Sequence, residues 1–136
     1  MTAERYARGW NKLMEVGGGG GEAERVIESL KDIAPDVANY IIEFAFGDIY
    51  SREGLDPKQR QLLTIASLTT QGGVESELHA HIHGALNVGL STNEVVEAIT
   101  HCISYTGFPR VLNAISVAKR VFEERNVKVE TSQEQE

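Results

Sequence analysis

The sequence predicts an all-α fold of six or seven helices, on three observations. Apolar residues recur at three- and four-residue intervals in one segment after another, the mark of helices that bury one face. Helix start and stop signals punctuate those segments. No segment shows the strict apolar–polar alternation of a half-buried strand.

The first segment, residues 3–16, places Tyr6, Trp10 and Leu13 at i, i+4 and i+7. Five glycines at 17–21 end it. Such a run maximises backbone freedom and reads as a flexible linker. A phosphate-cradling loop would need a preceding strand and a following Lys-Ser/Thr, and neither is there. Residues 22–31 form a short helix. Pro35 then suits the first turn of a longer one, "PDVANYIIEFAFGDIY", with Val37, Ile41, Phe44 and Ala45 on one face. "LDPKQRQLLTIASLTTQGG" is a helix marked at both ends: Asp56 as cap, Pro57 as first residue, Gly72-Gly73 as stop. Its middle is apolar or small nearly all round, which predicts a central, buried helix.

Leu78, Ile82, Ala85, Leu86 and Gly89 define the stripe of the next helix. "GLSTNEVVEAITHCISYTGFP" opens with a capping box of Ser91 and Glu94, stapled by Leu90 and Val95. Val95, Ile99, Cys102 and Ile103 carry its core face, and Gly107 ends it. Pro109 begins the last helix, with Val111 or Leu112, Ile115, Ala118 and Phe122 inward. The expected organisation is an N-terminal helix and glycine linker (1–21), a helical domain (22–125) and a polar, acidic tail (126–136).

Composition narrows the function. The chain has 136 residues and a net charge of −7, with no basic cluster, so a nucleic-acid backbone would be repelled. Cys102 is the single cysteine, which excludes an internal disulfide, a CxxC redox pair and a thiolate zinc site. No apolar run approaches the roughly 20 residues that span a bilayer, and "MTAERYARGW" is too polar for a signal peptide. A cytoplasmic protein is expected.

Three of the four histidines, His79, His81 and His83, fall within "ELHAHIHGAL". At about 100° per residue they do not form one cluster. His81 lies with Glu77 on one flank of the apolar stripe, four residues apart and within reach. His79 and His83 lie on the other flank. That pair has the spacing of a helical metal clip, but the glutamate of an HExxH motif is replaced by Ala80. Glu75 or another chain would have to complete a ligand set, so the pair is read as a solvated face and no metal is assigned. His81, at the stripe's edge, is either a satisfied boundary histidine or an acid–base group whose pKa burial and Glu77 can move.

"LDPKQRQLLTIASLTTQGG", "HIHGALNVGLSTNEVVEAI" and "YTGFPRVLNA" resemble the carboxymuconolactone decarboxylase family over roughly residues 36–123. The resemblance implies the alkylhydroperoxidase-D-like helical fold, no cofactor, and assembly into homo-oligomers, often hexamers. It also implies decarboxylation of a lactone in aromatic breakdown. The alkylhydroperoxidase branch uses a CxxC that would fall within "GGVESE", where there is no cysteine, so dithiol peroxidase chemistry is excluded. His81 matches the family's recurring histidine. Where the family often has Arg-Glu-Leu, this chain has Arg60-Gln61-Leu62, and a glutamine hydrogen-bonds without exchanging a proton.

The resemblance thus implies a carboxy-lyase acting on a small carboxylated lactone or related organic acid. His81 is its general acid/base, and Glu77 raises the imidazole's pKa and orients it. Arg60 and Arg110 would hold a substrate carboxylate, Gln61 would orient a group, Tyr105 would offer a hydroxyl, and Tyr40 and Phe44 would wall the pocket. The competing expectation is a non-catalytic oligomeric or ligand-binding protein on the same fold, favoured by Gln61 and the missing CxxC. A metal-dependent enzyme using His79 and His83 is the third.

Overall fold

A computed structural model describes residues 2–18 and 21–130. Among them the helices are α1 (Thr2–Gly17), α2 (Glu22–Lys31), α3 (Pro35–Tyr40) with a π-helical continuation (Ile41–Ile49), α4 (Pro57–Gln71), α5 (Glu75–Asn87), α6 (Thr92–His101), the single turn α7 (Ile103–Thr106) and α8 (Phe108–Arg125). No strand occurs among the described residues, so the chain is all-α as expected. Within the glycine run, Gly19 and Gly20 lie outside the described residues, as does 131–136 of the tail. No helix of the described residues is long and apolar enough to cross a membrane. The chain divides into two compact units, Met1–Pro57 and Lys58–Glu136.

In the first unit, α1 packs on the π-helical segment through backbone. Gly9 has no side chain because none would fit: a Cβ there would lie 1.7 Å from the Ile42 carbonyl oxygen. Gly47 is also confined, since a Cβ there would lie 2.8 Å from the Arg5 carbonyl oxygen. This approach decides which residues go inside. The unit buries Gly9, Leu13 and Val16 from α1 against Ala38, Ile42, Phe46 and Gly47. The expected face of Val37, Ile41, Phe44 and Ala45 is not the buried one; Val37 and Phe44 are exposed. Apolar residues occupy most of the segment's circumference, so periodicity alone singles out no one face, and from Ile41 the winding changes to i→i+5. Arg5 clamps the contact with bonds of 3.1 and 2.7 Å to the two carboxylate oxygens of Asp48, and Arg8 donates to the Gly47 carbonyl at 2.8 Å.

The second unit holds the larger core. Ile65 of α4, Leu78, Ile82 and Ala85 of α5, Val95 and Ile99 of α6, and Val111, Ala114, Val117, Ala118, Val121 and Phe122 of α8 bury their side chains together. Each large aliphatic side chain there contributes about 1.5–3 kcal/mol through loss of contact with water. The local signals in the sequence operate as expected. Ser91 Oγ accepts from the Glu94 backbone N–H at 3.0 Å, and Glu94 returns a bond to the Ser91 N–H at 2.9 Å. Gly72 and Gly73, with φ of 67° and 72°, turn the chain from α4 into α5 through a conformation that side-chain-bearing residues avoid.

α4 differs from the buried helix that its composition suggests. Its inward face is Gln61, Ile65 and Thr69, while Leu63 remains 58% exposed. The helix is apolar on more sides than this chain alone covers.

Candidate active site

α4 and α5 meet where Gln61 faces His81. Gln61 has no exposed surface, and its Oε1 lies 3.2 Å from His81 Nδ1. An amide oxygen only accepts, so Nδ1 carries the proton and donates it. That bond fixes the tautomer and leaves the Nε2 lone pair as the ring's reactive position. Gln61 Nε2 is buried with no hydrogen-bond partner, a donor held beside the imidazole and not satisfied by the protein.

Burial pushes His81 below the ordinary imidazole range, and the negative charge of Glu77 pulls the other way with smaller effect. The free protein therefore holds His81 neutral. Glu77 does act in the expected direction, raising the imidazole's pKa, but burial outweighs it. Glu77 is exposed and acts only through its field, while the orienting bond comes from Gln61.

Gln61 is thus the expected site residue that meets this imidazole directly. Arg60 precedes Gln61 on α4, partly buried, and its carbonyl accepts from Thr64 at 2.9 Å. No shift of His81 is attributable to Arg60 or Arg110. Arg110 lies across Gly72, at the mouth of a small cleft between the end of α4 and the starts of α5 and α8. Thr69, Glu75, Leu78 and Asn113 also line that cleft; His81 and Gln61 do not. Tyr105 is 80% exposed, its ring tilted against His101 at 5.7 Å between centroids. Tyr40 and Phe44 belong to the first unit and are exposed. Spacing along α8 placed Arg110 at the helix start correctly but carried no information about which neighbour it would cover.

Two groups escaped sequence reasoning. Thr69 Oγ1 is a buried hydroxyl without a partner, and a threonine in an apolar helix gives no sign of that. Glu124 of α8 meets His79 across 45 residues of sequence, and only tertiary packing reveals it.

Residues 35–120 match the Carboxymuconolactone decarboxylase family. The chain is 36% identical over 124 residues to a 4-carboxymuconolactone decarboxylase of Acinetobacter baylyi, covering 91% of each chain. It is 32% identical over 127 residues to an uncharacterised 15.0 kDa protein of Paracoccus denitrificans, covering 93% of this chain and 89% of that one. Over 80 residues it is 39% identical to a nitrosuccinic acid decarboxylase of Metarhizium robertsii, 59% of this chain and 55% of the other.

Proposed function

The chain belongs to the carboxymuconolactone decarboxylase family, and on that premise we propose that it decarboxylates a small carboxylated lactone or related organic acid, with His81 delivering the proton. The observation that carries the reading is the Gln61–His81 hydrogen bond, which presents Nε2 of a largely buried imidazole in one tautomer. Relatives named for decarboxylation of two different acids, a carboxymuconolactone and nitrosuccinic acid, support the reaction class more than any one substrate.

The step balances with one side-chain acid and a proton drawn from water. The bond from ring carbon to carboxylate breaks and CO₂ leaves. Its electron pair passes through the conjugated double bond to the lactone carbonyl oxygen as an enolate. An anionic substrate beside His81 favours the imidazolium, so Nε2 takes a proton from water as substrate binds. Nε2–H then protonates carbon, the enolate returns to a carbonyl, and His81 is neutral again. The Gln61 Nε2–H is the donor for an oxygen that gathers charge during the step.

The test is release of CO₂ from γ-carboxymuconolactone. His81→Gln is expected to lower the rate by a factor within the ~10²–10⁴ that a positioned acid contributes. Inactive wild-type protein would remove this substrate; a fully active His81→Gln variant would remove the assigned role.

Self-association belongs to the same reading. Leu63, Tyr105, Phe108 and Leu112 leave large apolar side chains exposed on the second unit, and a second copy of the chain is their proposed cover. A homohexamer is the expected assembly, and a monomer in sedimentation at working concentration would overturn it. A cytoplasmic location completes the reading, checked by fractionation.

A further inference from the structure

We infer that His79, His83 and Glu124 form a binding site for a borderline divalent cation of the zinc type. The proposal is independent of the decarboxylation reading and uses the flank of α5 that faces away from Gln61.

His79 and His83 are one helical turn apart on α5, their rings 4.8 Å between centroids at 71°, and their potential ligand nitrogens lie within 4.8 Å of each other. α8 packs against α5 and delivers Glu124 between them. Its Oε1 lies 2.5 Å from His79 Nε2 and 3.7 Å from His83 Nε2, and its Oε2 lies 3.0 Å from His79 Nε2. Both imidazoles are largely sheltered, at 18% exposure, while the carboxylate at 42% keeps freedom to adjust.

Two imidazoles at i, i+4 and one glutamate from another helix make a His₂Glu set, one that holds zinc with a fourth position open. Imidazole donors favour zinc, copper, nickel or cobalt over magnesium or calcium, which prefer oxygen throughout. Bonds of about 2.0–2.1 Å in a tetrahedral site put neighbouring donor atoms roughly 3.3 Å apart. Glu124 Oε1 therefore needs to move by less than about 1 Å from His79, toward the mean of its two present distances.

One neighbour opposes the ion. Arg125 Nη1 donates toward His83 Nδ1 at 3.3 Å, which requires the proton of that ring to sit on Nε2. Coordination through Nε2 needs the other tautomer, so Arg125 must withdraw from Nδ1. It retains Asn87 Oδ1 at 2.9 Å when it does. Arg125 thus sets the affinity as a competitor and not as a ligand.

The test is titration of the full chain with zinc chloride, followed by calorimetry and by melting temperature, with cobalt(II) as the spectroscopic probe. The expected result is one ion per chain, a tetrahedral cobalt spectrum and a raised melting temperature. His79→Ala and Glu124→Ala are each expected to weaken binding by at least about tenfold, the loss that removal of even an outer-shell partner brings. His101→Ala, on an exposed histidine elsewhere, should leave it unchanged, and Arg125→Ala should tighten it. Absence of stoichiometric zinc from the wild type would overturn the site and leave a His79–Glu124 hydrogen bond. Equal binding by the His79 and Glu124 variants, or weaker binding by Arg125→Ala, would overturn it as well.

Discussion

Replacing Gly9 by alanine is a test in which the sign alone decides. In a helix interior alanine is favoured over glycine by about 0.8–1.0 kcal/mol, so on propensity alone Gly9→Ala stabilises α1. The structure demands the opposite. The new Cβ would sit 1.7 Å from the Ile42 carbonyl oxygen and 2.7 Å from its carbon, both backbone atoms that cannot rotate away. Ordinary contact between carbon and oxygen needs roughly 3.3 Å, so α1 and the π-helical segment must part by about 1.5 Å. Overpacking of this kind typically costs about 1–3 kcal/mol, and separating the helices also loosens Leu13, Val16, Ile42 and Phe46. Set against the propensity gain, overpacking alone nets a loss of roughly 0–2 kcal/mol, and the loosened core contacts add to it. Urea unfolding followed by circular dichroism measures it as a lower midpoint at unchanged slope. Gly54→Ala is the control, because a Cβ there meets nothing within 4 Å. A Gly9→Ala protein as stable as the wild type, or more so, would refute the backbone-to-backbone packing of α1.

Ser91→Ala removes one half of the reciprocal cap of α6 and should cost about 1 kcal/mol in the same unfolding assay. The Arg5 hydrogen bonds hold the Asp48 carboxyl below the usual carboxylate range, and its contribution to stability is therefore present above the unfolded value of about 3.9 and lost as pH falls below it. Asp48→Asn should flatten that acid limb, which a series of melts below pH 5 would reveal. Gln61→Leu leaves the His81 Nδ1–H without its acceptor, and on the proposed mechanism it should lower kcat by about tenfold or more with little change in KM. Loss confined to KM would assign Gln61 to binding alone.

Signals confined to a few neighbouring residues were legible in the sequence. The Ser91–Glu94 box, the Gly72-Gly73 stop and the Gly107–Pro109 restart each act through groups within four positions, so composition and spacing suffice to find them. The inward face of "PDVANYIIEFAFGDIY" was not legible. A segment apolar round most of its circumference offers several faces, and the choice was made by Gly9 and Gly47 letting two backbones meet. At the site, helical geometry showed the flank that His81 shares with Glu77, and the family resemblance singled out His81. Gln61 was expected to orient a group, but that the group is His81 was not legible, because the two stand 20 positions apart on different helices. Glu77 raises the imidazole's pKa as expected, but an exposed carboxylate beside water acts weakly and burial of the imidazole outweighs it. Arg110 and Tyr105 have the right chemistry for an anionic substrate, but residue type does not say where a side chain will lie.

The amide at position 61 has a genetic consequence. Both glutamine codons become glutamate codons by a change of their first base. This chain therefore stands one nucleotide from setting a carboxylate, in place of a neutral acceptor, 3.2 Å from His81 Nδ1. Any large population carrying the gene samples that exchange repeatedly. Which side chain persists beside the imidazole then reports selection on a buried charge, and not the difficulty of reaching it.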